Sequence, residues 1–108
     1  MPSSKPIEEL PYKARVYINN QVLLPARLVK ALGIEWAKYA EITIKYKDCV
    51  ITLKQVALLR TRHTASRQFT IPKEVRDKYG IMPLDEIEVI GIRPLRNKEI
   101  NAKQVINE

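Results

Sequence analysis

Residues 68–81 read QFTIPKEVRDKYGI, and this stretch decides how the rest of the chain is interpreted. Residues 21–34 read QVLLPARLVKALGI, which is a weaker copy of the same pattern. Pro25 and Pro72 are 47 positions apart, and Gly33 and Gly80 are separated by the same 47 positions. A fixed period of this length indicates one structural unit that is used twice.

Each copy predicts a strand, a proline, a short helix, a glycine and a further strand. Proline favours extended geometry in the residue before it, and it is tolerated at the first helical position because its missing amide hydrogen has no partner there. Gly33 and Gly80 stand where a left-handed residue ends a helix. Helices this short are marginal in isolation, so the unit must be held by packing in a shared core.

Alternation of apolar and polar residues gives the clearest strand prediction at residues 40–46. The other predicted strands cover residues 14–18, 21–24, 49–54, 57–62, 68–71 and 86–92, and the predicted helices begin at Pro25 and Pro72. Cys49 is the only cysteine and falls on the apolar face of its strand, which predicts a core thiol.

The chain of 108 residues is expected to form one small domain made of two fused halves. Residues 1–12 contain three prolines and are predicted to form a flexible arm; residues 13–55 form repeat 1, residues 56–94 form repeat 2, and residues 95–108 form a polar tail. The sequence has no apolar run of membrane-spanning length and no signal-peptide pattern, so we expect a cytoplasmic protein with no membrane partner.

The net charge of +7 is concentrated in two parts of the sequence. Residues 13–30 carry a net +4 and residues 54–78 a net +5, so the two windows together exceed the charge of the whole chain. These windows occupy equivalent parts of the two repeats, whereas acids gather elsewhere, as at residues 85–88. Concentrated positive charge of this kind favours a polyanionic partner such as nucleic acid, over the alternative of a generally cationic surface.

The sequence offers little for catalysis. It has three glycines and one histidine, and it lacks both a glycine-rich phosphate loop and a recognisable nucleophile–base set. His63 has no second metal ligand at useful spacing, so neither a metal site nor a cofactor is predicted. We therefore expect a binding protein rather than an enzyme.

The segment from Gln68 to Arg76, with Gly80 and Ile81 downstream, resembles the signature of the AbrB/SpoVT/MazE family of swapped-hairpin DNA-binding proteins. The resemblance covers about three quarters of the chain. It implies a mainly β fold with short helices, in which two units interleave their hairpins into one small β-barrel. Because both units lie in one chain, the barrel would be an intramolecular pseudo-dimer built from two tandem repeats.

The resemblance also implies a function, which is duplex DNA binding by a transcriptional regulator, and therefore association with the nucleoid. DNA would lie across the first strands and the turns before the prolines. Family members often have glycine where this chain has Asn20 and Arg67; Asn20 tolerates turn geometry, whereas Arg67 does not and is expected to be available to a ligand. The predicted nucleic-acid-binding residues are Lys13, Arg15, Asn20, Gln21, Arg60, Arg62, Arg67, Gln68 and Lys73.

Two other functions remain open at this point. Antitoxins that resemble this fold bind a protein partner through a C-terminal tail, and residues 95–108 could act in that way. A low-specificity chromatin or RNA-associated protein is the second alternative. Further self-association of the pseudo-dimer is also compatible with the sequence.

Overall fold

The computed structural model describes residues 10–61 and 64–100, and these residues form a mainly β fold with two short helices. The mainly β character expected from the sequence is confirmed. In chain order the elements are β1 (Tyr12–Arg15), β2 (Gln21–Leu24), α1 (Ala26–Leu32), β3 (Tyr39–Tyr46), β4 (Cys49–Ala57), β5 (Leu59–Arg60), β6 (Arg67–Thr70), α2 (Lys73–Tyr79) and β7 (Glu86–Pro94), followed by a 3-10 turn (Asn97–Glu99).

The strands form two antiparallel sheets. The larger has the order β1-β7-β3-β4 and the smaller has the order β2-β6-β5. Within the described residues neither sheet closes on itself. In the smaller sheet β2 pairs with β6 so that Val22 lies directly opposite Phe69. Strands from the two halves of the sequence are thus neighbours in both sheets.

The proline and glycine positions bound both helices. Pro25 and Pro72 have extended geometry and immediately precede the first helical residue. Each helix therefore begins one position later than the sequence predicts. Gly33 and Gly80 end the helices in the left-handed conformation, with φ of 65° and 72°. The amide of the residue after each glycine donates back into the helix, from Ile34 to Val29 and from Ile81 to Arg76. This hydrogen bond to a carbonyl near the end of the helix is what a left-handed cap provides.

The core lies between the two sheets and is covered at one end by α1. Val22, Leu24 and Phe69 of the small sheet, and the inward residues of β3 and β7, are fully or almost fully buried. Leu28 and Val29 on the inner side of α1 are buried, whereas none of the seven residues of α2 is buried. The second helix is therefore held less firmly than the first.

Two expectations need correction. Cys49 is exposed, because β4 begins beyond the edge of the core and only Ile51 and Leu53 of its apolar face are covered. The first residues of the predicted tail are part of the folded body, since Leu95 is buried and its amide donates to the Tyr39 carbonyl. Residues 1–9 of the predicted arm and residues 101–108 of the tail lie outside the described residues.

Candidate nucleic-acid interface

The β2/β6 ribbon brings together three of the predicted binding residues at one end. Asn20 has a φ of 65° in the turn before β2, which confirms the expectation that this asparagine tolerates turn geometry. Its carbonyl accepts a hydrogen bond from the Ile71 amide at 3.1 Å, and Gln21 Nε2 donates to Thr70 Oγ1 at 3.3 Å. Lys73 follows three positions after Thr70 and is exposed at the start of α2. This end of the ribbon therefore presents carboxamides beside a cation.

The other end of the ribbon carries a hydroxyl cluster and an exposed arginine. Thr61, Thr64 and Ser66 hydrogen-bond to one another in the turn between β5 and β6. Arg60 is exposed on β5, and Gln68 of β6 is half-buried between Leu23 and Leu59. Arg62 and His63 belong to this turn by sequence but lie outside the described residues.

Arg67 is not available to a ligand, contrary to the expectation from the sequence. Its side chain is 6% exposed. Nη1 donates to the carbonyls of Ala65 at 2.7 Å and Ser66 at 3.0 Å, and Nη2 donates to the carbonyl of Glu35 at 3.0 Å. The guanidinium therefore joins the turn before β6 to the segment after α1, and its donors are used inside the protein.

Lys13 and Arg15 are exposed, but they lie on the larger sheet and face acids. In the pairing of β1 with β7, Lys13 is opposite Glu88 and Arg15 is opposite Glu86. Directly opposite residues of an antiparallel pair have close side chains, and opposite charges there attract. The two acids, which gather apart from the basic windows in the sequence, thus offset the charge of β1. The eight predicted residues that the structure describes consequently do not form one continuous basic face.

Arg27 and Lys30 were missed as site candidates although they were counted in the basic window. Both are exposed on α1, which follows β2 directly, as Lys73 follows β6. The equivalence of the two helices gives no signal for them, because the positions that correspond to 27 and 30 in the second unit are Glu74 and Asp77. Their signal in the sequence is the excess of basic residues over residues 13–30. Asn19 and Thr70 were also missed; they hold the two carboxamide atoms of Gln21 in place.

Other kinds of site find little support in the described part of the chain. Across residues 10–61 and 64–100, no group of three or more histidine, cysteine, aspartate or glutamate residues is placed to hold a metal ion. None of the helices described is long and apolar enough to cross a bilayer. A shallow apolar groove of about 460 Å³ is lined by Tyr17, Ile18, Asn19 and Leu84.

Comparison with known proteins yields one informative likeness. No family model and no curated protein sequence matches this chain. Among solved structures, the fold is similar to the solution structure of PHS018 from Pyrococcus horikoshii, with 26% sequence identity and a TM-score of 0.53. The similarity covers 80% of this chain and 94% of that one, so it extends over nearly the whole of the archaeal protein.

Proposed function

We propose that this chain is a two-repeat swapped-hairpin barrel of the AbrB/SpoVT/MazE type and that it binds duplex DNA as a transcriptional regulator. The contact surface is the outward side of β2 and β6, with Gln21, Leu23, Gln68 and Thr70, together with the flanking cations. We call this surface the ribbon face. The flanking cations are Arg27, Lys30, Arg60 and Lys73.

The register of the ribbon supports the repeat. Val22 and Phe69 occupy equivalent positions 47 residues apart, and they are directly opposite each other. Gln21 pairs with Thr70 and Leu23 pairs with Gln68, so a shift of 47 positions converts one pair into the other. This is the relation expected across an approximate two-fold axis that passes between Val22 and Phe69.

The observation that carries the functional proposal is the junction of Asn20 and Gln21 with Thr70 and the start of α2. Carboxamides can hydrogen-bond to base edges or to the DNA backbone, and lysine and arginine neutralise phosphates. Here both kinds of group lie at the end of the smaller sheet where only β2 and β6 are paired, because β5 pairs only with Arg67 and Gln68. A two-stranded ribbon is narrow enough for a major groove. Arg60 and Arg27 supply cations toward the other end of the ribbon.

This proposal replaces part of the binding set suggested by the sequence. Arg67 is excluded because its guanidinium is buried and occupied. Lys13 and Arg15 are excluded because they lie on the other sheet, opposite Glu88 and Glu86. Asn20, Gln21, Gln68, Arg60 and Lys73 are kept.

Duplex binding can be tested by fluorescence anisotropy with a labelled duplex over a range of salt concentrations. If the four flanking cations neutralise phosphates, the logarithm of the affinity should fall with the logarithm of the salt concentration with a slope of about −3.5. Lys73→Ala and Arg60→Ala should each weaken binding and make the slope shallower by about one. A salt-independent affinity would reject the proposal.

A matched control is available on the larger sheet. Lys45 is exposed on β3 and lies opposite Glu88, so Lys45→Ala removes the same charge away from the ribbon face. It should change duplex affinity less than Lys73→Ala does. Equal losses from both variants would show that only overall charge matters, and would favour a low-specificity polyanion-binding protein.

A further inference from the structure

Trp36, the only tryptophan, is an exposed aromatic residue on a well-anchored segment. It keeps 54% of its surface exposed, although Ile34 and Ala37 on either side are buried. The Ala37 amide donates to the Ile34 carbonyl at 3.0 Å, which closes a turn around Trp36. The fold therefore holds the backbone in place while the indole side chain faces solvent.

Arg67 strengthens this anchoring from the other half of the chain. Its Nη2 donates to the carbonyl of Glu35, the residue before Trp36, at 3.0 Å. A buried arginine thus holds the backbone just before an exposed tryptophan. A backbone segment that is already ordered loses less conformational entropy when a ligand binds, so a side chain that it carries is suited to act as an anchor.

A cation lies against the indole. The guanidinium carbon of Arg96 is 5.8 Å from the centre of the Trp36 ring, within the range of a cation–π contact. Arg96 is positioned by its neighbours, because the Leu95 amide donates to the Tyr39 carbonyl and the Arg96 amide donates to Glu99 Oε1. More than half of Trp36 remains exposed despite this contact.

The surroundings of Trp36 carry positive charge. Lys38 is exposed two positions away, and its carbonyl accepts a hydrogen bond from the Leu58 amide, which places it beside the start of β5. The nearby acids Glu41 and Glu99 both form ion pairs with Arg93, at 3.1 Å and 2.9 Å. Glu35 is the exposed acid next to the indole, and Lys38 and Arg96 outnumber it.

We propose that Trp36, with Arg96 and Lys38, is a stacking site for an unpaired base of single-stranded nucleic acid. Bases stack on aromatic side chains and on guanidinium planes, and cations beside them hold the phosphates. A paired base inside a duplex keeps its faces covered by its neighbours, so this site takes a base that is not stacked in a helix. The site is separate from the ribbon face and does not depend on duplex binding there.

The site is present in only one half of the chain. Position 83, which is 47 positions after Trp36, is a proline, and the segment after α2 has Met82 and Leu84 as its exposed apolar residues. These side chains are apolar but have no π-face for a base. The second half therefore provides a matched control position.

The single tryptophan makes the proposal directly measurable in this chain of 108 residues. Titration with a short oligothymidylate or oligouridylate should quench Trp36 fluorescence in a saturable manner, and a blunt-ended duplex of the same length, which has no unpaired base, should quench it less. Equal quenching by the DNA and RNA oligomers, or a preference for one, supports the site, because both present an unpaired base and a phosphate. Binding of either oligomer without quenching would overturn it.

Variants separate stacking from general electrostatic attraction. Trp36→Leu should weaken binding of a labelled oligothymidylate, measured by anisotropy, by about fivefold to a hundredfold, which is the usual effect of losing one stacked base. Trp36→Tyr should retain most of the affinity, and Arg96→Ala should lower it. Met82→Ala should bind like the parent, and its circular dichroism spectrum should match those of the other variants.

The two proposals fail independently. Parental affinity of Trp36→Leu for the oligothymidylate would remove the stacking site and leave duplex binding by the ribbon face untouched. A salt-independent duplex affinity, together with tryptophan-dependent binding of the oligomer, would remove the proposed regulator function and keep the stacking site.

Discussion

At the scale of single residues, Arg67 shows how one buried cation can organise a surface without touching a ligand. Its guanidinium donates to three backbone carbonyls, those of Ala65, Ser66 and Glu35. Hydrogen bonds from a charged donor are stronger than those between neutral groups, and buried carbonyls that lose their donor are costly. Arg67 therefore contributes to stability and to the placement of the segment that carries Trp36.

Arg67→Ala should destabilise the protein by about 1–3 kcal/mol, because one buried and two partly buried carbonyl groups lose their donor. Urea unfolding followed by circular dichroism measures this loss as a lower midpoint at an unchanged slope. Arg60→Ala is the control, since Arg60 is the exposed residue paired with Arg67 in the smaller sheet. The control should shift stability by about 0.5 kcal/mol or less. Equal midpoints for parent and Arg67→Ala would contradict the structural role.

At the scale of elements, one carboxylate helps to attach the segment between α2 and β7 to the larger sheet. Asp85 Oδ2 accepts hydrogen bonds from the Met82 amide at 2.8 Å and from the Tyr46 hydroxyl at 2.7 Å. Tyr46 is buried on β3, so this contact joins the segment to the larger sheet. No residue of α2 is buried, whereas α1 buries Leu28 and Val29. The position of α2 therefore depends more on how the segment after it is attached to the rest of the fold.

The hydrogen bond from the Met82 amide, followed by that from Tyr46, holds the pKa of Asp85 below its ordinary value of 3.8. The folded state therefore favours the carboxylate. The stability that this gives is complete above the ordinary pKa and is lost as the pH falls through the lower, folded-state pKa. Asp85→Asn should accordingly be less stable than the parent at about pH 7, and the difference should shrink toward about pH 3.

Urea unfolding of both proteins at the two pH values tests this. Asp48→Asn serves as the control, because Asp48 is exposed in the turn between β3 and β4. Its stability should stay close to that of the parent at both pH values. A difference between parent and Asp85→Asn that is the same at both pH values would refute the assignment.

At the scale of the whole molecule, the two halves of the sequence share one core. Phe69 from the second half and Val22 from the first are fully buried and directly opposite each other. Strand β7 from the second half lies between β1 and β3 from the first. Neither half can cover its own apolar residues, so unfolding should involve both halves at once.

Phe69→Ala should therefore lower the unfolding midpoint of the entire chain, with a cost of about 3–5 kcal/mol for a large core side chain. Trp36 fluorescence reports on the first half, and circular dichroism reports on all strands. The two midpoints should fall together in the variant, as for a two-state protein. Leu59→Ala, at an exposed position on the neighbouring β5, should have a small effect. A Trp36 midpoint that stays at the parental value would mean that the halves unfold independently.

Local features of the fold were predictable, because they depend on neighbouring residues. The strand bounds at residues 21–24, the glycine caps and the turn geometry at Asn20 follow from side-chain alternation and backbone sterics. The burial of Arg67 also had a signal, since it shares the two-residue period of Phe69 and Ile71, which both face the core.

Long-range features were not predictable from the charge windows. Lys13 and Arg15 lie opposite Glu88 and Glu86 only because β1 pairs with β7, and these strands come from opposite ends of the chain. Local charge counts cannot show this pairing. For the same reason the sequence alone could not show that Thr70 would hold Gln21 in place.

The exposure of Cys49 has a practical consequence. The only thiol of the natural chain projects from the start of β4, at the hairpin opposite Tyr46, and not from the ribbon face or the segment around Trp36. A maleimide dye attached there needs no engineered cysteine and disturbs no buried side chain. With Trp36 as the donor and the dye on Cys49 as the acceptor, resonance energy transfer can follow the distance between these two residues during titration or unfolding.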